Sequence, residues 1–305
     1  TMNQYLATKA RLARDTKMLR NRCDRRKEWM FAKMLTAGTL TYTSPKGIKF
    51  TLDYSVPSAN LVTLAANRAW DTGSQRNIVE DILSAKLTLS NSIGAKIDYA
   101  MFTSEVLNMM ILDTSIQTLL QKSSYGTGDL FARPVSVLGS LLDIQNMVLY
   151  DEQYQVQAWL TAVVTGSSTT TISVDDATDF EAGATLTFHD VSAGTSESET
   201  ISSVDVDAGT VTVSAAPTAS FKAGEDKVTM TKKFVSESIF SMFASTVEGN
   251  KIAEFYNAPY GLGRDFGMQV DTHEEWDPDG VWVRVQNKGL PVLYHKDAVY
   301  VLTVT

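Results

Sequence analysis

Few side chains in this sequence could perform chemistry, and they do not form a known catalytic pattern. The three histidines, His189, His273 and His295, contain no H-x-x-x-H pair. The sequence also lacks a nucleophile elbow, a phosphate-binding loop and a dinucleotide-binding glycine motif. The segment "PYGLGR" at 259–264 has only two of the three glycines of the last motif and is interpreted as a loop. No residues combine a nucleophile, a base and an oxyanion donor, so we predict neither an enzyme nor a cofactor.

Two acidic clusters could offer oxygen ligands to a hard cation. The segment "THEEWDPDG" at 272–280 contains four carboxylates and His273, but it lacks the spacing of a calcium loop. We interpret it as an acidic turn, and the cluster of Asp175, Asp176 and Asp179 in the same way. The single cysteine, Cys23, excludes an internal disulfide and is interpreted as unreactive. We therefore predict no metal site.

Composition indicates a globular protein with an uneven charge distribution. The chain has 305 residues, of which 44% are hydrophobic. It contains no run of about 18 apolar residues and no apolar signal segment, so we expect cytoplasmic synthesis without membrane insertion or secretion. Residues 1–33 carry ten Lys or Arg against three Asp or Glu, a net of +7, which leaves −15 for the rest of a chain of net charge −8. Such a basic segment suggests contact with nucleic acid or with acidic neighbours, including other copies; a solvated helix face is the alternative.

The basic segment precedes a predicted hairpin. Residues 3–36 contain no Pro or Gly and favour a helix that Gly38 ends. The segment "TLTYTSPKGIKFTLDY" at 39–54 then alternates in polarity on both sides of a Ser-Pro-Lys-Gly turn. An isolated two-stranded hairpin is marginally stable in water. We therefore expect the apolar face of this hairpin to need cover from outside its own strands.

The following residues predict a mixed core interrupted by a β-rich segment. A helix over 76–92 has an apolar stripe broadened by Val79, Leu83 and Leu87, with cap candidates Asp71, Thr72 and Ser74 and a stop at Gly94. Strands and helices alternate over 95–154, including a helix predicted over 104–120, and three closing strands are predicted after residue 281. Residues 160–230 hold eleven acidic residues against two lysines, are rich in Thr, Ser and Val, and alternate in short runs. They predict a small all-β domain inserted into an α+β fold.

The order of these parts resembles the lambda-type phage major capsid proteins of the phage capsid protein E family. The residues that carry this resemblance are "DRRKEWMFAKMLTAG" at 24–38, "AWD" at 69–71 with "IVEDI" at 78–82, "MVLYDEQY" at 147–154, and "EWDPDGVWVRVQNKGLPVLYHKDAVYVLTV" at 275–304. The resemblance implies an α+β, Hong Kong 97-type capsid fold. Its expected parts are a basic N-terminal arm (1–38), an extended β-hairpin loop (39–60), a peripheral domain with a spine helix (61–94), a mixed axial and peripheral core (95–157 and 232–305) and the inserted all-β domain (158–231). The family pattern lacks that inserted domain.

The same resemblance implies a function without catalysis. It implies that this chain is the major capsid protein of a tailed double-stranded DNA phage. Such a protein self-assembles in the host cytoplasm into hexamers and pentamers of an icosahedral shell, and it resides in the virion capsid. The implied partners are other copies, scaffold, portal and decoration proteins, and packaged double-stranded DNA bound without sequence specificity; no membrane is implied. The expected subunit-interface residues are Arg20, Arg25, Arg26, Trp29, Tyr42, Ile48, Phe50, Leu52 and Tyr54. The inserted domain is expected on the shell surface, stabilising capsomers or binding outside partners.

The sequence is also compatible with two other classes of function. A tail-tube or adhesin-like binding protein would explain the β-rich insert, but it gives no reason for a basic arm followed by a long helix. An enzyme would require a role for residues such as His273 or Glu274.

Overall fold

The computed structural model describes residues 2–43, 49–261, 265–276 and 279–305. The chain divides into two compact units. The mixed unit comprises Thr1–Tyr42, Lys49–Asp151 and Val235–Thr305, and the β unit comprises Glu152–Phe234. Each unit has a hydrophobic core of its own.

The helices all belong to the mixed unit. They are α1 (Met2–Ala37), α2 (Ile78–Ile93), α3 (Ser104–Leu112), α4 (Thr114–Gln121), α5 (Thr127–Ala132) and α6 (Pro134–Leu142). At 1.5 Å per residue, α1 is about 54 Å long. It ends at Gly38, whose φ of 65° is a left-handed conformation that glycine adopts without steric cost. The helix predicted over 3–36 agrees with these bounds.

The prediction of one helix over 104–120 is wrong in one respect. The helix is interrupted at Asp113, which separates α3 from α4. This residue has an extended backbone with φ −76° and ψ 135°. Its carboxylate accepts hydrogen bonds from the backbone amides of Ser115 (2.8 Å) and Ile116 (3.2 Å). A buried aspartate that caps the following turn satisfies amides that would otherwise lack partners, and so it starts a new helix.

The start of α2 also differs from the prediction. The cap is Asn77, whose side chain accepts from the backbone amide of Glu80 at 3.2 Å, and not Asp71, Thr72 or Ser74. Gly94 ends the helix with a φ of 65°, as predicted.

The strands of the mixed unit flank those of the β unit in the sequence. The former are β1 (Thr39–Thr43), β2 (Lys49–Asp53), β3 (Leu61–Thr63), β4 (Tyr99–Phe102), β5 (Asn146–Leu149), β12 (Ile239–Phe243), β13 (Thr246–Val247), β14 (Asn250–Lys251), β15 (Ala253–Asn257), β16 (Gln269–Trp276), β17 (Asp279–Gln286), β18 (Gly289–Leu293) and β19 (Val299–Thr303). The latter are β6 (Gln153–Trp159), β7 (Thr171–Ser173), β8 (Thr185–Asp190), β9 (Thr195–Asp205), β10 (Thr210–Val213) and β11 (Lys227–Lys233).

A five-stranded sheet in the order β3-β19-β12-β4-β5 forms the centre of the mixed unit. Its β19–β3 and β4–β5 pairs are parallel, and β12 is antiparallel to both of its neighbours. Phe240 and Met242 of β12 are fully buried in a core that also includes Trp70 and Phe102. The helices α2 to α6 contribute further apolar side chains to this core. The helices and strands together agree with the mixed α+β class.

Two further antiparallel pairs, β15–β18 and β16–β17, follow later in the chain. The interpretation of 272–280 as an acidic turn is wrong for 272–276, which belong to β16, and for 279–280, which begin β17; residues 277–278 lie outside the described residues. Thr272 lies opposite Val283, and His273 lies opposite Trp282. A charged strand is stable here because its backbone pairs along the whole length of β17 while Thr272 and His273 remain exposed.

The β unit is a six-stranded antiparallel assembly in the order β6-β11-β8-β9-β10-β7. Its core contains Ile172, Leu186, Phe188, Val211, Phe221 and Val228. The two ends of the unit are adjacent, since Gln153 pairs with Lys233 and the amide of Phe234 donates to the carbonyl of Glu152 at 2.9 Å. Domains whose two chain ends are adjacent generally tolerate insertion into another protein and removal from it.

Candidate functional site

The α2 helix carries apolar residues on two sides. Ile78, Ile82, Ala85 and Leu89 are buried in the core of the mixed unit. Leu83 and Leu87, which the sequence predicted would broaden that buried face, are instead 57% and 62% exposed. With the half-buried Val79 they form a line at i, i+4 and i+8, called here the α2 ridge. The ridge borders an open groove of about 360 Å³ whose walls also include Asn77, Glu80 and Ser84.

A buried carboxylate fixes the first turn of α2. Asp81 is 7% exposed and accepts a hydrogen bond from Trp70 Nε1 at 3.0 Å. Its other oxygen accepts from Arg68 Nη2 at 2.5 Å, and the same Arg68 nitrogen is 3.3 Å from Glu80. The hydrogen bond to Asp81 raises the pKa of Arg68. These contacts hold the ridge in a defined orientation relative to the sheet, and a negative charge at a helix N-terminus is electrostatically favourable.

Two more polar contacts, one just before α2 and one within it, connect α2 to neighbouring helices. Arg76 Nε lies 3.5 Å from Oδ2 of the buried Asp113, which caps α4. Near the middle of α2, Lys86 Nζ donates to the backbone carbonyls of Leu142 and Asp143 at the end of α6. Burial lowers the pKa of Lys86. Both cations are therefore used inside the unit.

The basic part of α1 has a different environment. Arg14, Lys17, Arg20 and Arg22 are exposed, and none of them forms an ion pair within the described part of the chain. Arg26 is half-buried, and its guanidinium lies 3.9 Å from the centre of the Trp29 ring. Trp29 itself is buried inside the mixed unit. The last quarter of α1 therefore packs on its own unit, while Arg14, Lys17, Arg20 and Arg22 in the region before it extend into solvent.

The hairpin formed by β1 and β2 is partly covered by its own unit. Leu40 is buried, Leu52 and Tyr54 are half-buried, and Phe50 is exposed. The Tyr54 hydroxyl donates to the carbonyl of Pro291 at 3.0 Å, and burial raises the pKa of Tyr54 to about 12. Tyr54 therefore attaches the base of β2 to β18.

The predicted interface residues thus occupy different environments. Arg20, Arg25 and Phe50 are exposed, Arg26, Leu52 and Tyr54 are half-buried, and Trp29 is buried in its own unit. Ile48 and the side chain of Tyr42 lie outside the described residues. The α2 ridge was not among the predicted residues, although its i, i+4, i+8 spacing, separate from that of the buried stripe, is visible in the sequence.

Among the side chains that the structure describes, no three His, Cys, Asp or Glu residues gather as metal ligands; the side chains of 274–280 lie outside this set. The described helices include none that is long and apolar enough to span a membrane.

A protein-family model described as phage major capsid protein E matches residues 1–197. The search of curated proteins found no match. Among solved structures, a phage-related protein from Bordetella bronchiseptica RB50 has a TM-score of 0.51 and 11% identity, over 95% of this chain and 66% of that one. A putative capsid protein of a prophage from E. coli CFT073 has a TM-score of 0.45 and 11% identity with the same coverage.

The chain spans 66% of the length of these two proteins. The likeness to the Bordetella bronchiseptica protein shows a similar fold. The family match extends over more than half of the chain and ends at Glu197, within β9 of the β unit. The resemblance inferred from the sequence is thereby confirmed. The chain belongs to the phage major capsid protein E family.

Proposed function

We propose that this chain is the major capsid protein of a tailed double-stranded DNA phage and that it assembles through hexamers and pentamers into an icosahedral shell. Family membership implies a structural, non-enzymatic protein of the virion capsid that self-assembles into a shell. The observation that carries the finer proposal is the α2 ridge. Contiguous apolar side chains left exposed by a well-packed unit are typical of protein interaction sites.

We assign the parts of the chain to a Hong Kong 97-type capsid protein. In this assignment α1 is the N-terminal arm (1–38), β1 and β2 form the extended loop (39–60), and α2 is the spine helix of the peripheral domain (61–94). Residues 95–157 and 232–305 supply the rest of the core, and 158–231 form the inserted domain. The order of the elements along the chain supports this assignment.

Contacts of this kind suit a closed shell. A ridge or hairpin on one copy that contacts a different surface on the next copy makes a heterologous interface, which closes into rings. Each contact needs only modest affinity, because many contacts act together over the lattice. The other proposed partners are scaffold, portal and decoration proteins, with packaged DNA held without sequence specificity.

The purified chain tests this proposal by electron microscopy. We expect closed shells from the wild type and none from L83D/L87D, because two carboxylates would have to be desolvated at the contact. Q117E/Q121E adds the same charge at exposed positions of α4 and should still form shells. If the wild type forms only open tubes or stays monomeric under all assembly conditions, the proposal is wrong.

For the β unit we propose a position on the shell surface where it stabilises capsomers. Its adjacent ends allow residues 153–233 to be replaced by a short linker without separating Glu152 from Phe234. We expect the deletion variant to assemble into shells that dissociate at lower temperature than the wild type. Shells of unchanged thermal stability would contradict this role.

A further inference from the structure

Part of the basic region of α1 presents exposed charges to solvent. Four cations, Arg14, Lys17, Arg20 and Arg22, are exposed and form no ion pair among the residues that the structure describes; they are called here the α1 basic surface. At 3.6 residues per turn they spread around more than half of the helix circumference and about 12 Å of its length. Like charges three residues apart, such as Arg14 and Lys17, repel each other and destabilise a helix. An anionic partner would remove this penalty.

Carboxylates outnumber cations in the β unit. In the mixed unit, several carboxylates pair with cations of the same unit: Glu80 and Asp81 with Arg68, Asp113 with Arg76, Asp129 with Arg133, Asp143 with Lys96, and Asp271 with Arg284. Residues 152–234 contain twelve Asp or Glu against four Lys. The ion pairs of the β unit include those of Lys222 with Glu225 and of Lys232 with Glu181, each at 3.1 Å.

Three of these carboxylates lie in or next to two turns that are joined by a backbone hydrogen bond at one edge of the β unit. Asp175, Asp176 and Asp205 are exposed and accept hydrogen bonds from backbone amides, those of Trp159 (2.8 Å), Thr178 (2.9 Å) and Ala208 (3.0 Å). The turn after Asp205 lies beside Asp175, since the Val174 amide donates to the Gly209 carbonyl at 2.9 Å. Trp159 is 41% exposed next to Asp175. An exposed indole close to a carboxylate suits guanidinium groups, because tryptophan is the best aromatic partner for a cation.

We propose that the α1 basic surface of one copy docks on this acidic edge, Asp175, Asp176, Asp205 and Trp159, of the β unit of a second copy. The inference rests on the proposed shell-forming function and names the surface that receives the arm. Opposite charges on one chain make each copy complementary to the next. Because the contact is between exposed charges, it should weaken as salt shortens the screening length to about 8 Å at 0.15 M.

Charge reversal on both surfaces tests the proposal in the full-length chain. R14E/R20E and D175K/D176K should each self-associate at least about tenfold more weakly than the wild type at low salt, as judged by analytical ultracentrifugation. An equimolar mixture of the two variants should recover association, because each reversed surface then meets its complement on the other variant. K122E/K251E makes the same change in net charge as R14E/R20E at exposed sites elsewhere and should behave like the wild type. Circular dichroism confirms that each variant is folded.

Each other outcome overturns the proposal. If D175K/D176K associates as the wild type does, the β unit is not the receiving surface. If the mixture fails to recover, the two surfaces do not meet between copies. If R14E/R20E only loses binding to a DNA duplex while its association is unchanged, the α1 basic surface contacts nucleic acid instead. Wild-type shells seen alongside any of these results would leave the proposed capsid function intact, whereas a wild type that forms no shells would contradict that function itself.

Discussion

Replacing Asp81 tests whether the buried carboxylate fixes the helix that carries the α2 ridge. In D81A, the indole N–H of Trp70 loses its acceptor while Trp70 stays fully buried. An unsatisfied buried donor costs about 1–3 kcal/mol. The loss of a negative charge from the first turn of α2 adds about 0.3–1 kcal/mol.

The contribution of Arg68 is smaller. Its side chain is 34% exposed and can still pair with Glu80, so the lost ion pair adds at most about 1 kcal/mol. We therefore expect D81A to lower the free energy of unfolding of the mixed unit by about 2–4 kcal/mol. D81N keeps an acceptor for the indole and should lose about half as much.

Urea unfolding followed by far-ultraviolet ellipticity measures this change. All six described helices belong to the mixed unit, so helical ellipticity reports on that unit separately from the β unit. E80Q is the matched control, because it removes a first-turn charge and the exposed partner of Arg68 but no buried acceptor, and it should cost at most about 1 kcal/mol. A loss below about 1 kcal/mol in D81A, or one equal to that of E80Q, would refute the reasoning.

Three further changes test other parts of the mixed unit. G73A should destabilise it by about 1–3 kcal/mol, because an added Cβ would lie 2.3 Å from the Ala69 carbonyl oxygen, whereas G128A meets no atom within 4 Å and should be neutral in the same urea experiment. D113A should cost about 1–2 kcal/mol through the lost cap of α4, and an unchanged urea midpoint would contradict that role. The folded-state pKa of Tyr54 is raised to about 12 from 10.0, so the unfolded chain loses this proton first and stability should fall as pH rises through that window. Y54F should show a shallower loss of stability in alkaline unfolding, and a slope equal to that of the wild type would show that Tyr54 does not contribute.

Local signals in the sequence predicted much of the element order. The absence of Pro and Gly before Gly38 predicted α1, and the period of the apolar residues with Gly94 predicted α2. Alternation over residues 160–230 predicted strands there, and β7 to β11 lie in or overlap this range. These features depend on residues a few positions apart, so they can be read without knowledge of the fold.

Other features depend on contacts between distant residues. Asp113 divides the helix predicted over 104–120 because its carboxylate is buried against Arg76, which lies 37 positions earlier. The acidic residues of β16 are typical of a turn, and its backbone pairing with β17 cannot be read from the sequence, so this segment was interpreted as a turn. The interface residues predicted from the resemblance stay predictions, with Trp29 buried in its own unit.

The sequence alone determined the class of protein: a globular α+β chain with a basic first helix and an acidic β-rich segment, in the order typical of phage capsid proteins. Charge and periodicity are local properties of the sequence, so they do not depend on how the helices and strands pack together. Tertiary packing determined which apolar residues are available to a partner. The stripes of α2 are similar in composition, but only one of them faces the sheet, so Leu83 and Leu87 remain exposed.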